Sequence, residues 1–162
     1  MTTQPLPNPG EYRRLMGRFA TGVTVILAGN GNDVRGMTAN SVTSLSLNPL
    51  LVLFCVDKKA HFLEALREHP IFTINILQRE QEALSTWFAG FQSDAAPPQF
   101  ELVPWQNSTR LGGCPAVACQ IEQFLEGGDH WIVIGRVLAL HHHENDVNPL
   151  IYFGGKYRSL QP

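Results

Sequence analysis

Val23-Thr24-Val25-Ile26-Leu27-Ala28, then Gly29-Asn30-Gly31-Asn32-Asp33, then Val34-Arg35-Gly36-Met37-Thr38-Ala39-Asn40-Ser41 is the stretch whose reading decides the fold. The first block is β-branched and apolar, so it reads as a strand. The second is a cluster of turn formers. The third resumes as an extended run through Ser41 and returns beside the first. Strands joined this closely pair antiparallel, because a parallel partner needs a crossover of a dozen or more residues.

The same grammar continues in both directions. Before the hairpin, residues 1–10 read as a flexible, polar, Pro-rich arm. Asn8-Pro9 is a helix start, Asn as cap and Pro as first helical residue. Tyr12, Leu15, Met16 and Phe19 follow at i, i+3, i+4, i+7, one apolar stripe that runs toward Gly22. After the hairpin, Leu45 to Asn48 alternates and stops at Pro49. Leu50 to Val56 is a continuous apolar run, which predicts a central buried strand. Ala60–Glu68 and Gln78–Ala89 read as short helices, and Phe72–Ile76, Val117–Leu125, His130–Leu140 and Leu150–Phe153 as strands. Gly90–Pro115 is rich in Gly, Pro, Ser and Asn and predicts a long loop. About seven strands and three short helices make a mainly β, antiparallel barrel with helices over its ends or edges.

Composition narrows the function. The chain has 162 residues, of which 44% are apolar and 16% charged, which suits one globular domain. A net charge of −2 speaks against a nucleic-acid partner but leaves room for a local basic patch and a small phosphorylated ligand. The three cysteines, Cys55, Cys114 and Cys119, show no C-x-x-C spacing and fit a reducing cytoplasm. No signal peptide and no membrane-spanning run is expected. No dinucleotide or P-loop glycine motif is present.

Few residues offer chemistry. Gly36 to Ser41 is small and polar where β-branched side chains pack better, which lets a flat ligand approach the backbone; an exposed edge that avoids self-pairing is the plainer reading. Lys58 and Lys59 precede a helix and suit a phosphate, or are two solvated lysines. His130 follows Gly128-Asp129 and is placed to donate to a developing anion, or is a turn histidine bonded to Asp129. His141-His142-His143, with Glu144 and Asp146, cannot all face one ion from a strand, so no native metal site is expected. Cys55 sits in an apolar run and reads as an inert thiol.

Three stretches in combination resemble the short-chain NAD(P)H:flavin reductases, which include reductase components of two-component flavin monooxygenases. They are Phe19-Ala20-Thr21-Gly22-Val23-Thr24-Val25, Gly36 through Pro49, and Leu51 through Lys58. Gly128-Asp129-His130 and Pro149 through Tyr157 extend the resemblance, which covers roughly residues 11–160. It implies an FMN-binding split β-barrel over residues 11–162, a homodimer with FMN or FAD at the subunit interface, and NADH or NADPH as hydride donor. It further implies that Thr38, Ala39, Asn40 and Ser41 run along the flavin ring, with Ser44 and Ser46 near its tail. Cys55, Val56, Asp57 and Lys58 would bring backbone and a cation to the ring edge, ribityl chain or phosphate. Phe88 and Ala89 would close over the flavin, and His130 and Tyr157 would border the nicotinamide.

The chain departs from the family pattern at Ala60 and Phe62, which stand where Ser and Thr usually follow the lysine. The backbone N–H groups around Lys58, Lys59, Ala60 and His61 would have to hold the flavin phosphate instead. The implied activity is reduction of FMN, FAD or riboflavin, with reduced flavin passed to a partner oxygenase. The alternatives are an FMN-binding electron carrier and a non-enzymatic flavin-binding protein on the same barrel.

Overall fold

The chain enters its first helix where the sequence places it. In the computed structural model, which describes residues 6–91, 96–143 and 148–160, α1 spans Pro9–Met16 and the Asn8 side chain accepts from the Glu11 N–H at 2.9 Å. That bond satisfies one of the N–H groups a helix start leaves unpaired. Residues 1–5 of the expected arm lie outside the described residues. The helix stops at Met16 with Gly17 as its cap. Gly22 instead closes the two-residue strand β1 (Thr21–Gly22).

The quoted hairpin is β2 (Thr24–Ala28) with β3 (Arg35–Ala39), antiparallel throughout. β4 (Thr43–Leu47), β5 (Leu50–Asp57), α2 (Phe62–Glu68) and β6 (Ile71–Ile76) follow. A 3-10 turn at Arg79–Gln81 leads into α3 (Glu82–Phe88). Then come β7 (Leu102–Trp105), β8 (Ser108–Leu111), β9 (Ala116–Gly127), β10 (His130–His141), β11 (Ile151–Phe153) and β12 (Lys156–Arg158). No helix among the described residues is long and apolar enough to cross a membrane.

Seven strands form one antiparallel sheet in the order β3-β2-β6-β9-β10-β5-β4. Its edges, β3 and β4, are consecutive in the chain. One buried cluster joins residues from both ends of that order: Ile26 and Ala39 with Phe54 and Val56. The sheet therefore curls around a core and leaves a seam between β3 and β4 with no ladder. The Ser41 hydroxyl bridges the seam. It accepts from the Cys55 N–H at 3.1 Å and reaches the Cys55 carbonyl at 3.3 Å. This is the antiparallel split barrel that the sequence predicts.

Three expectations need correction. The run Leu50–Val56 is not central: β5 lies second from an edge, and only Phe54 and Val56 of it are buried. A continuous apolar run does not say which face meets another layer. The strands buried on both faces are β6 and, most fully, β2, with Ile26 and Ala28 in the barrel and Val25 and Leu27 under Leu84, Leu111 and Leu150. Second, the stretch 90–115 is not all loop. β7 and β8 form a hairpin turned at Gln106-Asn107, both at positive φ. Its anchor is polar, so no apolar rhythm announces it: the Thr73 hydroxyl donates to Thr109 O at 2.6 Å, and Asn75 Oδ1 accepts from the Leu111 N–H at 2.8 Å. Third, twelve strands are present among the described residues where about seven were expected. The extra ones run two to four residues, too short for a period to show.

Candidate functional site

The Gly36-to-Ser41 segment carries one wall of a cavity, and α3 carries another. A Cβ on Gly36 would stand 2.5 Å from the Phe88 ring and 2.7 Å from Leu27, so glycine lets α3 lie close on β3. Phe88 then meets Phe100 edge-on, with ring centroids 5.5 Å apart. One turn earlier, Ser85 is fully buried. Its carbonyl accepts from the Thr38 hydroxyl at 2.6 Å, and its hydroxyl lies 2.8 Å from Tyr157 OH. These contacts tie β3, α3 and β12 together.

Between them is a cavity of about 160 Å³ lined by Val23, Thr38, Asn40 and Ser85, with Ala89, Phe91, Tyr152 and Tyr157. That is below the roughly 300–1,000 Å³ of whole-ligand pockets, so it admits a ring and not a complete nucleotide. The lining fits a flat polar ring. It offers aromatic and small apolar surface, the Thr38 and Tyr157 hydroxyls, and an exposed Asn40 amide that makes no side-chain hydrogen bond among the described residues. Thr38, Asn40, Ala89 and Tyr157, all named from the sequence, meet here. Ala39 points into the barrel core.

A second group sits where β5 and β10 end together. Ser41 holds Cys55 as described, and His130 pairs in register with Asp57. Val56 is buried, so only its backbone is available. Lys58 bonds Glu126 at 3.0 Å and lies 5.1 Å from the Trp131 ring centroid. His130 Nδ1 is 2.8 Å from Asp129 Oδ1, the turn contact that the plainer reading expects. That hydrogen bond, followed by the histidine's charge, holds the Asp129 carboxyl below its usual range. Ser44 and Ser46 lie farther along the edge, opposite Val52 and Leu51, and Ser46 Oγ accepts from its neighbour Asn48 N–H.

The backbone donors at residues 58–60 are already engaged. Lys58 N–H donates to Asp129 O, Lys59 N–H to Asp57 Oδ1, and Ala60 N–H to Asp57 O. Phe62, in place of a hydroxyl residue, is buried in the core.

Sequence reasoning missed Ser85, Tyr152, Val23 and Phe91 as lining residues. None of the four carried a signal that singles it out; Ser85 is one polar residue in a short helix. Among the described residues, ligand-type atoms of Asp33, Glu68 and His69 lie within 4.8 Å of one another. They sit at the far end of the β2–β3 hairpin from Asn40. There His69 Nε2 bonds Asp33 at 3.0 Å and Arg35 pairs with the same carboxylate. His141 is held below its ordinary pKa by desolvation, then by the charges of Arg110, His143 and His142. Those charges also repel a cation. Glu144 and Asp146 lie outside the described residues.

The chain matches the family described as "Flavin reductase like domain" over residues 16–161. It is 37% identical over 159 residues to a Streptomyces globisporus protein named "NADH-dependent FAD reductase", spanning 94% of this chain and 86% of that protein. It is 36% identical over 149 residues to a Thermus thermophilus "4-hydroxyphenylacetate 3-monooxygenase, reductase component", spanning 92% of this chain and 95% of that protein. The solved structure titled "Flavin reductase PheA2 in native state" superposes with a TM-score of 0.90 at 35% identity, covering 96% of this chain and all of that one.

Proposed function

Because the chain belongs to the flavin reductase-like domain family, we propose that it reduces a free flavin with NADH or NADPH and passes the reduced flavin to a partner monooxygenase. The observation that carries this reading is the match along nearly the whole chain to proteins named as NADH-dependent reductases and monooxygenase reductase components. FMN, FAD and riboflavin are the candidate acceptors. The nicotinamide and the flavin supply the hydride chemistry; the protein supplies binding, orientation and exclusion of water.

The residues suit that division. Thr38, Asn40 and Tyr157 present hydroxyl and amide groups to a ring held in the cavity, and Ala89 leaves it room. The Cys55–Lys58 segment and His130 stand at the neighbouring strand ends. Asp129 fixes Nδ1 of His130, which leaves Nε2 to face a ligand and steady negative charge. No stronger acid or base is needed, since proximity and orientation lower the barrier. Engaged N–H groups at 58–60 suit a flavin that is released rather than retained.

A homodimer completes the reading. α1 buries none of its residues, and Leu15 and Phe19 are 71% and 70% exposed. Leu47 and Leu50 are likewise exposed at the β4–β5 edge. Apolar surface of this extent marks an interface. The three free thiols suit a cytoplasmic setting.

The test is NAD(P)H oxidation by the pure protein, without flavin and then with FMN, FAD or riboflavin. Turnover that depends on added flavin supports the reading; no turnover with any pair refutes it.

A further inference from the structure

α1 is amphipathic the wrong way round for a helix that packs on its own core. Tyr12, Leu15, Met16 and Phe19 face solvent. The opposite face, with Arg13, Arg14 and Gly17, and Arg18 just beyond, lines a groove of about 560 Å³. The other wall is the β11–β12 turn, Phe153 to Lys156, with Arg158. A bond from Gly154 N–H to Gly17 O, 2.7 Å, ties the two walls together.

Five of the twelve lysines and arginines in a chain of net charge −2 meet in this groove, and no acidic residue lines it. Among the described residues none of the five makes an ion pair or a side-chain hydrogen bond, whereas Arg35, Lys58 and Arg136 each pair with a carboxylate. Like charges gathered in a cleft concentrate an attractive field for an anion. Gly154 and Gly155 turn at φ 62° and 75°, and a Cβ on either would meet nothing within 4 Å, so no side chain screens this turn from an approaching group, although the Gly154 N–H is given to Gly17 O. Tyr152 and Tyr157, which line the ring cavity, flank the Phe153–Lys156 turn that walls the groove, so the two sites adjoin along β11 and β12. Meanwhile the loop before α2 has spent its N–H groups at 58–60 and carries no hydroxyl at positions 60 and 62.

We propose that this groove is a phosphoryl subsite that takes the pyrophosphate of a dinucleotide whose ring occupies the cavity lined by Asn40 and Tyr157. The inference rests on the flavin reductase reading. Arginine forks hold phosphate oxygens in pairs, so Arg14 and Arg18 carry the recognition with Lys156 beside them. Two dinucleotides have this chemistry, the nicotinamide donor and FAD.

The experiment compares the wild type with Arg14→Ala/Arg18→Ala and with Arg67→Ala, which removes an exposed arginine elsewhere. kcat/KM is measured for NADH against dihydronicotinamide riboside, and for FAD against riboflavin. The double variant lowers one of the two ratios about 10-fold or more, as expected for lost charged hydrogen bonds, and Arg67→Ala lowers neither. A fall in the NADH ratio assigns the groove to the nicotinamide donor, and a fall in the FAD ratio to the flavin. Both ratios within twofold of wild type overturn the subsite. Titration calorimetry with inorganic pyrophosphate reads the groove without turnover: binding lost in the double variant supports it, and no binding by the wild type overturns it. An inactive wild type would refute the reductase reading, with the pyrophosphate titration still deciding the groove.

Discussion

The Ser85 hydroxyl lies 2.8 Å from the Tyr157 hydroxyl, and this contact fastens α3 to β12 in the wall of the ring cavity. Because Ser85 is fully buried, removing either partner leaves the other poorly satisfied. Tyr157→Phe and Ser85→Ala should each cost about 1–3 kcal/mol, the range for a buried polar group left without its partner. The double variant should cost less than their sum, because groups in contact are not additive. Urea denaturation of all four proteins checks this, and strict additivity would show that the hydroxyls do not interact.

Gly36→Ala should be destabilising by about 1–3 kcal/mol, the usual cost of overpacking. Its new methyl would stand 2.5 Å from the Phe88 ring. Gly36→Ala/Phe88→Leu should recover part of the loss, since a smaller side chain relieves the clash. A thermal melt of the single and double variants is sufficient. The same substitution should raise KM for flavin, because Ala89 lines the cavity and follows Phe88 on the chain.

His130→Ala should slow flavin reduction more than Asp129→Asn does. The histidine would touch the ligand, while the aspartate only orients its ring through Nδ1. Rapid mixing under anaerobic conditions separates the two rates. A wild-type rate in His130→Ala would remove this residue from the mechanism.

Alkaline pH should loosen the fold. Burial pushes the Cys114 thiol up to about 11, against smaller lowering effects from Arg110 and Gln81, and the Cys119 thiol up to about 12, both from 9.0. The folded chain therefore keeps protons that the unfolded chain releases. Their contribution is fully present below pH 9 and is lost as pH rises from there toward 11 and 12. Each unit of difference is worth about 1.4 kcal/mol. Urea midpoints at pH 8 and pH 10.5 measure the fall, and Cys119→Ala should flatten it. Iodoacetamide at pH 8 should label the part-exposed Cys55 ahead of the other two.

The barrel was legible where side chains repeat with a period or a turn is punctuated by glycine. The β2–β3 hairpin and the Asn8 cap came directly from such signals. The β7–β8 hairpin did not, because Asn75 and Thr73 hold it through buried polar bonds between strands far apart in sequence. The site divides the same way. Thr38 and Asn40 stood out as polar residues in a strand, and Tyr157 came with the resemblance to a known family. Gly36 stood out too, although the structure gives it a second reason, the close approach of Phe88. Ser85 was hidden, since one serine in a short helix has many possible duties. The apolar stripe of α1 was read, but its arginines were not, because only the fold shows that the arginine side, and not the apolar one, turns toward the protein.

The deciding experiment mixes a small amount of the protein, without oxygen, with FAD or FMN in large excess over protein and NADH in excess over flavin, and follows the flavin absorbance. A flavin reductase bleaches the whole flavin pool, over many turnovers, at a rate proportional to protein concentration. Bleaching no faster than in the absence of protein, with either nicotinamide nucleotide and any of the three flavins, would contradict the reductase reading.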